Sequence, residues 1–231
     1  MKCGLTALIS AGLFVASISD AVATFDIRSS PESQLDFSLT IQQNSLSLQN
    51  AGTDLGTDLL AIGFQFVDMP PNLPIQIGLG GGYAFVDQQA LAGLNNASMG
   101  GLYFTLLARS QLFSAGSWDS QAIFTYEYLR VGKSGETQQA RLYWNHFSAA
   151  VDLSYFLTHY LSLKIGVMYG QLNAKLSGSG EINVNETLNT DSHVAGIACL
   201  NYHIADDQKL AISFQQGYYN RVAIQFQRTF Y

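Results

Sequence analysis

The chain has 231 residues, of which 11 are Lys or Arg and 17 are Asp or Glu. Charged residues therefore make up 12%, where an ordinary soluble domain carries about 25%. Hydrophobic content is 48%, net charge is −6 and no apolar run is long, which excludes a disordered chain, a basic nucleic-acid binder and a helical membrane protein in turn.

The chain begins Met1-Lys2 and continues with an apolar stretch from Gly4 to Ile18, shorter than the roughly 20 residues of a spanning helix. Ala21-Val22-Ala23 follows as a small-x-small site. This pattern predicts a secretory signal peptide over 1–23 and a single mature domain over 24–231. Cys3 would leave with the peptide, so Cys199 alone remains and no internal disulfide is expected.

From there period-two alternation dominates. Successive side chains of a strand face opposite sides, so Leu60, Ile62, Phe64 and Phe66 share a face that Ala61, Gly63 and Gln65 do not. The same pattern predicts strands over 35–41, 60–66, 75–85, 102–112, 124–128, 147–157, 161–169, 194–204, 210–214 and 222–226. That is about ten, or eight if the segments at Leu35 and Leu210 do not span. Tight links are expected at 69–74, 114–118, 157–159 and 206–208, and longer polar ones at 43–56, 88–98, 132–140 and 176–190. The last link, 218–221, breaks this rhythm by being short. Tight turns alternating with long loops predict an all-β, transmembrane, antiparallel up-and-down β-barrel rather than a soluble sandwich.

The faces differ in kind. Tyr128, Tyr155, Tyr169, Tyr202 and Tyr218 are placed at the ends of apolar faces, where an amphipathic ring sits at headgroup level. Arg109, Glu127, Asp152, Lys164 and Lys209 fall on the opposite, lumen face. With a turn centred on Thr158, Asp152 and Lys164 would lie directly opposite each other as a bracing ion pair, and Arg109 and Glu127 would form a similar one on the adjoining strands. Gly78, Gly80 and Gly82 form an inward row without side chains, leaving room for a bulky neighbour such as Tyr103.

The final segment alternates through Val222, Ile224 and Phe226 and ends on Phe230-Tyr231, with Arg228 interrupting its apolar face. Here the sequence resembles the small outer-membrane β-barrel proteins of bacteria, the opacity-like class of eight to ten strands. The resemblance implies residence in the cell outer membrane, with outer-membrane lipid and lipopolysaccharide as partners. It also implies that Phe226, Phe230 and Tyr231 are the C-terminal signal read by the barrel-insertion machinery. The expected role is non-enzymatic, structural or in surface interaction through external loops. The extracellular ligand is unspecified.

Two alternatives remain open. One is a narrow pore for small solutes, although a barrel of this size is largely filled by its own side chains. The other rests on His146 and Ser148, which resemble the base and nucleophile of outer-membrane lipid A deacylases. Ala149 replaces the polar residue of that motif, no carboxylate follows at the right spacing, and both side chains point into the lumen. His193 and His203 share a face but lie roughly 33 Å apart at strand rise, so no metal site is indicated, nor any cofactor.

Overall fold

The structure is a computed structural model and describes residues 34–50, 53–69, 74–88, 97–134, 138–180, 184–190 and 193–231. The signal peptide expected at 1–23, and most of the links expected at 69–74 and 88–98, lie outside the described residues. Among the described residues eleven strands run β1(Gln34–Asn50), β2(Thr53–Met69), β3(Ile75–Gln88), β4(Ala97–Ala115), β5(Trp118–Ser134), β6(Gln138–Phe156), β7(Leu161–Gly180), β8(Val184–Asn189), β9(Val194–Ala205), β10(Gln208–Gly217) and β11(Asn220–Phe230).

All are antiparallel to their neighbours, and β11 returns to pair with β1 from Leu35↔Phe230 to Ser45↔Asn220, closing the sheet. The ring contains ten strands, β1 to β7 and β9 to β11. Both segments on which the count hinged, β1 and β10, are paired on both sides within it. Gly116, with φ +58°, makes the tight turn between β4 and β5 at the end that also carries Gln34 and Phe230, here termed the inner end.

The ring is not the same height all round. β9, β10 and β11 have 12, 10 and 11 residues, whereas β6 and β7 have 19 and 20. Where β9 to β11 stop, β8 takes their place, pairing with β7 from Asn173↔Asn189 to Gly178↔Val184 and touching β1 at Gln49↔Asn189. The wall thus has ten strands at its inner end and eight at its outer end.

Side-chain polarity inverts at that step. On β1 the outward residues are Leu35, Phe37, Leu39 and Ile41, then Gln43, Ser45 and Ser47, while the buried inward ones are Asp36, Ser38, Gln42 and Asn44, then Leu46 and Leu48. β6 does the same: Tyr155, Leu153, Val151 and Phe147 face out, then Asn145, Tyr143 and Arg141, while Asp152 and His146 give way inside to Trp144 and Leu142. On β7 the apolar outward run from Leu161 to Tyr169 is followed by Gln171, Asn173 and Lys175. That run measures roughly 27 Å along the strand, close to the ~25 Å apolar band of a membrane barrel before allowance for tilt. Trp118 and Tyr155 meet at its inner edge with tilted rings whose centroids are 4.5 Å apart, where a headgroup-level girdle belongs.

Above the band the barrel is built like a water-soluble one. Leu48, Val86, Leu142, Leu176 and Leu188 are fully enclosed and pack with Met99, Leu129, Trp144 and Leu172. Each such side chain removed from water contributes about 1.5–3 kcal/mol, a driving force that exists only where the outside is water. The segments expected as long loops at 43–56, 132–140 and 176–190 are therefore largely strand: they continue β1, β2, β5, β6 and β7 beyond the lipid, and 184–189 forms β8.

Candidate functional site: the closed lumen

Where ten strands become eight, a buried polar layer crosses the barrel. Glu127 on β5 and His146 on β6 are directly opposed in register, as are Asn44 on β1 and Arg221 on β11. The short link that breaks the loop rhythm, Tyr218-Tyr219, folds inward instead of outward, and both rings are buried. His146 Nδ1 lies 2.7 Å from Glu127 Oε2, and its Nε2 lies 2.7 Å from the Tyr218 hydroxyl. A carboxylate only accepts, so Nδ1 carries the proton shared with Glu127, and Nε2 and the Tyr218 hydroxyl form the second hydrogen bond of the ring. Arg221 Nη2 donates to Glu127 Oε1 at 3.0 Å and to the Tyr219 hydroxyl, and its Nε donates to Asn44 Oδ1 at 3.1 Å. Burial pushes both phenols up from their ordinary value, so Tyr218 and Tyr219 keep their protons.

Glycines make room for this layer. A Cβ on Gly170 would stand 1.9 Å from the Tyr218 hydroxyl and 3.0 Å from His146 Nε2. Gly63 and Gly82 do the same for Tyr103, whose ring would lie 2.6 and 2.7 Å from a Cβ at those positions. Of the inward row only Gly82 meets Tyr103; Gly80 faces Thr105, and Gly78 faces Val67 and Leu107. What space is left between Gln42, Tyr103, Glu127, Trp144 and Tyr219 amounts to about 10 Å³, the centre-volume of one water.

Below this layer the lumen is polar. Lys164 Nζ and Asp152 Oδ2 are 3.2 Å apart, so that expected pair forms, but not as directly opposed residues. The register is Asp152↔Gly166 and Ser154↔Lys164, because the turn centres one residue later than Thr158 and the pair meets diagonally. Gln121 also donates to Asp152, at 3.0 Å. Arg109 and Glu127 do not pair. Thr105 faces Glu127 and Arg109 faces Ile123, which leaves the two charges about 13 Å apart along the wall. Arg109 instead donates to Asp36 at 2.8 Å and to Gln76, and Asp36 also accepts from Gln227 and Thr229, each at 2.7 Å.

Ser148 lies on the same inward face as His146, but neither ring nitrogen of that histidine is directed to it; both are engaged by Glu127 and Tyr218. Phe226 and Phe230 face outward on β11, Tyr231 follows at the exposed inner rim, and Arg228 beside them pairs with Asp207 at 3.1 Å. Among the described residues no three of His, Cys, Asp or Glu are grouped to hold a metal ion.

An apolar belt of membrane height on a closed, ten-stranded up-and-down barrel defines the outer-membrane β-barrel class. No protein-family model and no curated protein matches the chain. Among solved structures it is similar to the translocator domain of the autotransporter NalP from Neisseria meningitidis, at TM-score 0.51 and 9% identity, covering 89% of this chain and 90% of that one. It is also similar to the outer-membrane protease OmpT from Escherichia coli, at TM-score 0.48 and 10% identity over 89% and 99% of the two chains. A third is Ail, the attachment invasion locus protein of Yersinia pestis, at TM-score 0.44 and 12% identity over 86% and 99%. At these identities the likeness is one of fold.

Proposed function

We propose that the protein is a non-enzymatic resident of the bacterial outer membrane, whose closed barrel anchors a water-facing outer extension with a structural or surface-interaction role. The observation that carries this reading is the filled lumen. A solute path needs continuous wet space, and here a layer of Tyr219, Arg221, Glu127 and His146 is capped by an apolar core containing Leu48, Leu129, Leu142 and Leu172. Space for one water at the constriction favours a plugged barrel over a narrow pore. The engagement of both His146 nitrogens away from Ser148 favours a positioning role for that histidine over one as a catalytic base.

The extension offers polar outward residues on every strand that continues past the lipid, such as Ser45 and Ser47 on β1, Arg141 and Tyr143 on β6, and Asn185 and Thr187 on β8. A partner outside the cell would meet these first. The test is single-channel recording of the refolded protein in planar bilayers. The wild type should hold baseline current, and a Trp144→Ala/Tyr219→Ala variant should show fluctuating openings. Steady conductance steps from the wild type would overturn the closed-barrel reading.

A further inference from the structure

The outward face of β5, β6 and β7 combines two features. Two outward positions above the last apolar one on β6, Arg130, Tyr143 and Lys175 form one row across the three strands, through the pairs Arg130↔Tyr143 and Tyr143↔Lys175. Arg141 stands one outward position higher on the central strand. Arg130, Arg141 and Lys175 are exposed, the Arg130 guanidinium lies 5.6 Å from the Tyr143 ring centre, and no carboxylate pairs with any of the three among the described residues. No outward position on these strands above the band is acidic, whereas the β2–β3 side carries Asp58 and Asp87.

Directly below, in the lipid-facing wall, is a groove of about 540 Å³. Ala108 and Ala149 line it together with Phe124, Tyr126, Phe147 and Tyr169. Small and large residues alternate across one row, Ala108↔Phe124↔Ala149↔Tyr169, so the register leaves low ground on either side of the Phe124 ring. The cation row stands four residues above the upper edge of the groove, about 13 Å along the strands. Tyr126, at that edge, donates to Asn145 at 2.7 Å, marking where the wall turns from apolar to polar.

We propose that this face is a specific binding site for one phosphate-bearing acyl lipid of the outer leaflet. Arg130, Arg141 and Lys175 receive the phosphate groups, the Tyr143 ring sits between them, and an acyl chain lies in the groove over Ala108 and Ala149. The separation of cations from groove matches a headgroup at the membrane surface with its chain below. Charge complementarity selects an anionic lipid, and the trough selects an anchored chain over a free anion. The site is independent of whether the lumen conducts.

The test is native mass spectrometry of the refolded protein in detergent. It is titrated with bis-phosphorylated lipid A, with the same lipid after phosphate removal, and with inorganic phosphate as competitor. One lipid A per barrel should be retained in preference to the dephosphorylated form, and millimolar inorganic phosphate should not displace it. The R130Q/R141Q/K175Q variant should lose about tenfold or more in retention, because each cation at an anionic membrane surface adds to binding. Ala149→Trp should weaken retention by filling the groove, and Arg228→Gln, at the opposite end, should leave it unchanged. Heat-modifiable gel mobility verifies that each variant is folded. Wild-type retention by the triple variant, an equal loss in Arg228→Gln, or full displacement by inorganic phosphate would each overturn the proposal.

Discussion

Arg221 and Glu127 stand on β11 and β5, five strands apart in either direction around a ring of ten, yet Arg221 Nη2 and Glu127 Oε1 are 3.0 Å apart. Two diametrically opposite walls are joined by one ion pair, which is possible because the Tyr218-Tyr219 link occupies the space that a lumen would otherwise fill. Removing one partner strands the other in a poorly hydrated interior, a loss worth about 3–5 kcal/mol. Glu127→Ala is expected to destabilise by that order in urea unfolding from lipid vesicles. The Glu127→Ala/Arg221→Ala double variant is expected to cost less than the sum of the two singles. Strict additivity would mean that the contact carries no coupling.

Gly170 and Tyr218 supply a second check on the same layer. Adding a methyl group at Gly170 collides with the hydroxyl that binds His146, so Gly170→Ala should cost about 1–3 kcal/mol by overpacking. Gly196 has nothing within 4 Å of its would-be Cβ, and Gly196→Ala should change the unfolding midpoint little. Equal effects of the two substitutions would separate the glycine from the network.

The inversion of polarity predicts opposite tolerance to charge on one strand. Leu39 and Ser47 both face outward on β1, one in the apolar band and one above it. Leu39→Arg should cost up to about 2–4 kcal/mol, as a cation in the lipid-facing band does. Ser47→Arg should stay within about 0.5 kcal/mol. Unfolding titrations of the two variants decide this, and similar costs would move the lipid boundary.

His146 is expected to act on stability and not on lipid chemistry. His146→Ala should lower the unfolding midpoint, and expression of either the wild type or Ser148→Ala should leave the lipid A acyl pattern unchanged by mass spectrometry. Loss of one acyl chain on wild-type expression, absent with Ser148→Ala, would restore the hydrolase reading.

Facing was legible in the sequence because lipid-exposed strands keep a strict period of two. Leu161, Leu163, Ile165, Val167 and Tyr169 all face outward as read, and Asp152 and Lys164 face inward together. The outer extension escaped that reading because the apolar residues change phase where lipid gives way to water. Leu46 and Leu48 are one position out of step with Leu35 to Ile41, and Leu172 and Leu176 are out of step with Leu161 to Tyr169, so the alternation looks broken when only its polarity has flipped. The phase change was itself the available signal. Partnerships within the lumen were harder. They depend on register, and a shift of the β6–β7 turn by one residue makes Asp152 and Lys164 diagonal neighbours. The link from Arg221 to Glu127 spans 94 residues and depends on ring closure, which no local pattern encodes.

The most direct measurement is labelling of single cysteines along β6 by a membrane-impermeant maleimide, in a Cys199→Ala background reconstituted in vesicles. Arg141→Cys and Tyr143→Cys should label, Phe147→Cys and Val151→Cys should be shielded by lipid, and Leu142→Cys should be shielded by the packed interior. Labelling at Phe147 would contradict the placement of the lipid boundary, and labelling at Leu142 would contradict the closed lumen.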